Sequence, residues 1–412
     1  MKPVFLFIGI ILIVSVIFLA ACSAGQTKNP VLNQPASTDY QGVDNQPGKL
    51  DETEPAVENP RETEVEMTAD ANSTETNPAD DLDQEVTIDP LAQPDCLQLA
   101  PGQPEEVEVK PIGLGGPLST SSAEISGMDW YGEYLIILPQ YFDHAEGRVL
   151  YAVPKSVILD YLQGSTSAPL EVIRIPVEDQ FFGVGSPGFE GYEAITFNGD
   201  RVYLTVELST GGGMAGYLIS GEIESDLSRV VLDIGGRQPI PLQQQIDNLS
   251  DETILVAGDR LITIFEANGA ADNPSPFVHV FDADLRLVGE LPFPTIEYRV
   301  TDATRLDSEN NFWVTNTYTL GAFGLTPQED MIGNQFGEGC THAIYGWVER
   351  LVELHYDPDS GITLTDSPPI QLVLQGYIYS RNWEGIVRLE DLGFLIVTDE
   401  FPETILGFVP FP

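Results

Sequence analysis

Beyond Glu105 the chain is built of short apolar runs, rich in Val, Ile, Leu, Tyr and Phe and separated by Gly, Asp, Asn and Pro. Runs of that length between turn residues predict strands. Five segments share one shape: a polar or acidic residue, a small or apolar stretch, a polar turn, then an apolar run ending on a second polar residue. They begin at Ser126, Glu193, Glu252, Asp302 and Glu384, and their second polar positions are Gln140, Glu207, Glu266, Asn316 and Asp399. The two positions are 14 residues apart in the first four segments and 15 in the fifth, where Thr398 holds the strict spacing. An antiparallel hairpin explains the constancy, because both polar positions then lie at the same end and the turn at the other. The extra residue of the fifth segment reads as a longer turn or a bulge.

Further strand-like runs follow each hairpin: Val149 to Val153 and Leu170 to Ile175, Tyr217 to Ile223 and Arg229 to Ile234, Phe277 to Phe281 and Leu285 to Leu291, Val348 to Tyr356 and Ile370 to Leu374. The fifth hairpin has only Ile405 to Val409, so its outer strand is expected from the start of the body, Glu106 to Ile112. Joining the two ends of a chain in one sheet is how a radial β array protects its edges. The expected fold is therefore all-β, a β-propeller of five blades over residues 105–412, closed by the N-terminal strand of the body. A sixth blade within 317–346 is the alternative.

The first hundred residues are of another kind. Lys2 precedes an apolar run from Pro3 to Ala21, the layout of a secretory signal. The stretch Leu19-Ala20-Ala21-Cys22 resembles the lipobox of bacterial lipoproteins. That resemblance implies a signal peptide over 1–22, lipidation at Cys22, and an extracytoplasmic protein held to the membrane through its lipidated N-terminus. An uncleaved membrane helix is the alternative, since about 19 apolar residues nearly span a bilayer. Residues 23–104 carry 17 acids, three bases and one aromatic, Tyr40. Such a segment buries too little apolar surface to offset its ordering entropy, and it reads as a disordered acidic tether.

Charge narrows the partners. The chain has 64 acids against 18 bases, a net charge of −46, which excludes nucleic acid, whose phosphates need Lys and Arg. In a propeller the first strand of each blade lines the central channel, so the polar positions gather at one mouth. Like charges at close range do not all stay ionised without a counter-charge. The candidate metal ligands are Glu193, Glu207, Glu252, Glu266, Asp302, Glu384 and Asp399; oxygen donors alone suit calcium, or magnesium, better than zinc. Arg299 and Arg381, just before two first strands, could neutralise the charge instead, and a purely structural role in capping blade ends is the third reading.

Glu190-Gly191-Tyr192-Glu193-Ala194-Ile195 with Tyr203 to Glu207, Asp251-Glu252 with Leu261 to Glu266, Tyr298-Arg299 to Thr304, and Trp383-Glu384-Gly385-Ile386 with Gly393 to Asp399 together resemble the phytase-like ("esterase-like activity of phytase") propeller domains. The resemblance spans roughly 120–410. It implies a calcium-linked propeller acting on phosphoester or ester substrates at the channel mouth. The dense aspartate clusters of true phytases are lacking, and 47 acids against 14 bases in 105–412 would repel a phytate-sized polyanion. Glu193, Asn316 and Asp399 also resemble, in residue type, the metal set of lactonase-type propellers.

Other chemistry has little support. His279 and His355 fall within expected strands; His144 and His342 fall in loops on the mouth side, where either could serve as a general base. There is no G-x-S-x-G elbow and no Walker loop, and Gly211-Gly212-Gly213 reads as a turn. Asp357 to Gly361 reads as a β-turn rather than a calcium loop. Outside the cytoplasm Cys96 and Cys340 are expected to pair. The long stretch from Thr317 to Gly346 is expected to overhang the mouth. The resulting expectation is a monomeric, anchored, divalent-cation-dependent ester or phosphoester hydrolase. The alternative is a non-catalytic propeller that binds a small molecule or a surface ligand.

Overall fold

In a computed structural model the described residues are Cys96 and 103–412, apart from 121–122, 143–146, 322–323, 377–379 and 400. The signal peptide, Cys22, nearly all of the tether, His144 and Phe323 lie outside them. Among the described residues no helix is long and apolar enough to cross a membrane.

The five hairpins all form. A short strand β1 (Lys110–Ile112) leads into β2 (Ile125–Tyr131), β3 (Tyr134–Pro139), β4 (Val149–Pro154) and β5 (Ile173–Glu178), the first blade. The second is β6 (Phe189–Asn198), β7 (Arg201–Thr210), β8 (Gly213–Ile223) and β9 (Val230–Leu232), with β10 (Gln238–Ile240) beside β8. The third is β11 (Asp251–Ala257), β12 (Arg260–Phe265), β13 (Phe277–Asp282) and β14 (Leu287–Pro292). The fourth is β15 (Arg299–Ala303), β16 (Asn311–Tyr318), β17 (Val348–Asp357) and β18 (Gly361–Leu364), with β19 (Ile370–Gln371) also on β17. The fifth is β20 (Trp383–Leu389), β21 (Gly393–Thr398), β22 (Leu406–Pro410) and β1.

Tight turns make the inner hairpins. Gly132, Gly199 and Gly258 supply the left-handed backbone that a two-residue turn requires, and Asn310 and Glu390 adopt it in blades four and five. The first strands then pack in a ring, β2 on β6, β6 on β11, β11 on β15, β15 on β20, and β20 back on β2. The arrangement is a five-bladed propeller.

One apolar layer fills each of the five gaps between blades. Ile136 and Leu138 meet Val202 and Leu204; Leu135 and Ile137, on the other face of β3, meet Leu395 and Val397. Similar layers join blades two and three, three and four, and four and five. Strands buried on both faces are why the sequence shows unbroken apolar runs rather than strict alternation. The outer strands of blades one and two also pair in parallel, Val177 with Val230.

Closure follows the expected route. Lys110, Pro111 and Ile112 pair with Phe408, Gly407 and Leu406. Pro111 is tolerated because β1 is an outer strand. Upstream, Val107 bridges to Leu372 of blade four, and Cys96 is bonded to Cys340, with their Cα atoms 5.8 Å apart.

Two expectations need correction. The outer strand of blade four is Gly361–Leu364, reached by the tight turn at Asp357, while Ile370-Gln371 pairs with the opposite end of the same β17. The 317–346 stretch forms no sixth blade among its described residues. Its far part folds into helices, Met331–Phe336 and Cys340–Tyr345. Glu106 caps the second of these, accepting from the Thr341 amide at 3.0 Å and contacting His342 Nδ1 at 2.6 Å.

Candidate functional site

Every first strand carries a β-bulge at its start. The pairing slips between Ile125 and Gly127, between Tyr192 and Ala194, between Asp251 and Thr253, and between Trp383 and Gly385. The bulged residues are therefore Ser126, Glu193, Glu252 and Glu384. A bulge removes one residue from the ladder and re-aims its side chain, and all four line one cavity of about 660 Å³ at the channel mouth. Glu207 joins them from the second strand of its blade, Gln140 and Asp399 from just past the ends of theirs, and Arg299, Asn248, Ser380 and Asn382 from neighbouring segments. Gly191 makes room: a Cβ there would overlap both Gln140 and the Glu193 carboxylate.

Of the seven carboxylates proposed from sequence, five meet here: Glu193, Glu207, Glu252, Glu384 and Asp399. Asp302 and Glu266 do not line the cavity. In blade four the slip spans two residues, from Val300 to Ala303. The shift turns Asp302 away from the mouth, where it accepts from the Ile386 amide of blade five at 2.9 Å. Glu266 is fully buried and bonded to Arg299 Nε. Asn316 holds Arg350 at 2.8 Å instead of facing the channel.

Arg299 divides the cluster. Its guanidinium bonds Glu266, reaches Glu384 at 2.9 Å and Glu252 at 3.5 Å, and donates to Asn382 at 2.6 Å. Arg381 does not share this work; it pairs with Glu349 at 2.8 Å, alongside the Trp383 indole. Glu193 and Glu207 form the other half. Each is buried, and each has one carboxylate oxygen, Oε1, without a hydrogen-bond partner among the described residues.

The electrostatics follow this division. Burial pushes the Glu193 carboxyl well above the usual range, and the charges of Glu207, Glu384 and Asp399 push it further, against a pull from Gln140. Burial raises Glu207 to about 7, with Ser250 and Arg299 pulling down and Glu190 pushing up. Glu252 is raised by burial and by Glu384, with Arg299 opposing. Asp302 is raised mainly by burial.

The donors suit a hard cation: carboxylates and amide oxygens, two of the carboxylate atoms orphaned, with no histidine or thiol in the lining. Among the described residues no three acidic, histidine or cysteine side chains already converge as a ready-made metal centre. His342 is not at the mouth, because its ring is held between Glu106 and the Glu349 backbone. His279 is fully buried in β13, 3.6 Å from Asp251, and His355 contacts Asn311. From the long stretch of blade four, Thr317 to Gly321 form part of the cavity wall.

No protein-family model matches the chain, and no curated protein matches it. Among solved structures it is similar to the GH43_1 enzyme from Xanthomonas citri, with 12% identity and a TM-score of 0.42 over 74% of this chain and 91% of that one. A hypothetical protein from Leishmania major gives 10% identity and 0.41 over 75% and 91%. A GH43 endo-arabinanase from Bacillus licheniformis gives 10% and 0.37 over 72% and 94%. Likeness at this level carries no argument about the site; the propeller rests on the chain's own strand pairing.

Proposed function

We propose that the protein is a propeller hydrolase that cleaves an ester or phosphoester bond at the channel mouth with a bound divalent cation, calcium before magnesium. The observation that carries this reading is the pair of buried carboxylates, Glu193 and Glu207, each with an orphaned oxygen at the wall of a 660 Å³ cavity. Arg299 is already engaged by Glu252, Glu266 and Glu384. Glu193, Glu207 and Asp399 would have to draw together to hold the ion, which would then supply a Lewis acid and an activated water. Arg299 holds Glu252 and Glu384 in place, and Gln140 and Asn382 offer hydrogen bonds that orient the substrate. The acidic body favours a neutral or singly charged ester over a polyanion. The phytase-like motifs support the same reading, and the lipobox resemblance supports an address on the outer face of a membrane.

Calorimetric titration of the full chain with calcium, followed by a panel of ester and phosphoester substrates, tests it. Wild type is expected to bind the ion, Glu193→Gln and Glu207→Gln to weaken binding at least tenfold, and chelator to abolish turnover. Absence of calcium binding overturns the cation. Binding without turnover favours the second reading, a non-catalytic ligand site. That reading draws on the absence of any histidine or cysteine from the described lining.

A further inference from the structure

Beside the acidic mouth lies a second cavity of about 320 Å³, lined by Tyr141, Phe142, Phe189, Tyr192, Arg148 and Asp179. Its rings are already arranged among themselves. Phe142 stacks on Tyr192 at 4.1 Å, and Phe189 meets Tyr192 edge-on at 5.1 Å and Tyr141 at 6.1 Å. The polar side is equally fixed. Asp179, 2% exposed, pairs with Arg148 Nε at 3.0 Å and accepts from the Phe181 amide at 3.0 Å and the Tyr192 hydroxyl at 3.2 Å.

The turn at the edge of this cavity is strained. Gln180 and Phe181 are consecutive non-glycine residues in the left-handed region, with φ of 52° and 62°. Phe181 is 63% exposed, with the Arg148 guanidinium 3.9 Å from the centre of its ring. Burial of that ring does not repay the strain, and strain kept without such a return is a mark of ligand-holding segments.

The two cavities share a wall. Gln140 and Glu193 line the mouth, while their chain neighbours Tyr141 and Tyr192 line the ring cavity. The Tyr192 amide donates to the Gln140 carbonyl at 2.9 Å. Tyr141 also feels the mouth: burial, then the charges of Glu193, Glu124, Glu190 and Asp399, push its hydroxyl up to about 12.

We infer that this cavity is a subsite for a neutral, oxygen-bearing aromatic ring, one half of the molecule whose scissile ester sits at the mouth. The ester half of this statement rests on the proposed hydrolysis; the ring half does not. Aromatic walls favour a flat π system in edge-on or offset contact over a saturated one. Arg148 has terminal nitrogens to donate to a ring hydroxyl or ether, and the surrounding carboxylates reject an anionic ring. The volume suffices, since an apolar cavity of about 150 Å³ takes up benzene.

The test is saturation-transfer NMR on the full chain with 4-methylphenol, and with cyclohexanol and methyl glucoside as controls. The phenol is expected to bind with millimolar affinity, ahead of both controls, and to weaken about fivefold in Phe189→Leu and in Tyr141→Leu. Tyr141 is partly exposed, so its variant serves if Phe189→Leu fails to fold. No phenol binding, binding as strong in both variants as in wild type, or preference for the glucoside each overturns the subsite. In parallel, aryl esters are expected to outpace alkyl esters, with the preference lost in the same variants. Phenol binding without calcium binding keeps the subsite and removes the hydrolase reading; calcium binding without phenol binding does the reverse.

Discussion

A bulged residue gives up its place in the ladder and gains a direction that the pleat would not allow. Ser126, Glu193, Glu252 and Glu384 are in the mouth for that reason, and the sequence showed them as evenly offset polar residues. The same signal misplaced Asp302, because a two-residue slip in blade four leaves no trace in the spacing. It also understated Arg299, visible only as a base before a strand, whose role depends on three carboxylates from two other blades. The buried pair Glu193 and Glu207 sets a pH dependence. Without a cation, Glu207 titrates near 7 in the folded chain against an ordinary value of 4.5. A carboxyl raised by folding binds its proton more tightly when folded. Its stabilising contribution is therefore full below about 4.5 and is lost as pH rises to about 7. Urea unfolding at pH 5 and pH 8 is expected to show wild type losing on the order of 3 kcal/mol more across that window than Glu207→Gln. Equal pH dependence in the two proteins would contradict the burial of this carboxyl.

Among the elements, the inner hairpins were the most legible, because turn, apolar run and polar end all agree. The outer strands were less so. Gly361–Leu364 is only four residues long, and its neighbour Ile370-Gln371 competes for the same β17. The helices of the blade-four stretch, at six residues each, are too short to show a period. The closing strand was legible by subtraction, since the fifth blade lacked a partner. Its seat is tight: a Cβ on Gly407 would overlap the Val109 side chain and touch Ile396. Gly407→Val is expected to cost about 1–3 kcal/mol in chemical denaturation. Pairing it with Val109→Ala should recover part of that loss; if it does not, the contact is not the cause.

For the molecule as a whole, the blade count was readable from five repeated marks, and the cavities were not. A cavity depends on which side chains are absent from a space, as at Gly191, and no pattern along the chain records that. The Cys96–Cys340 bond spans 244 residues. On a chain-entropy account a loop of that length is worth on the order of 5 kcal/mol. The Cys96→Ser, Cys340→Ser double variant is expected to melt well below wild type in calorimetry, and to match wild type under reducing conditions. Identical melting of the oxidised proteins would show that the cross-link does not bear on stability.

That bond also governs how the propeller responds to being pulled. Cys96 precedes β1 in the chain and is joined to blade four, so a pull applied upstream of Cys96 would enter the body through a covalent bond. The three-residue seam between β1 and β22 would be shielded from peeling by such a pull, and the ring would stay shut.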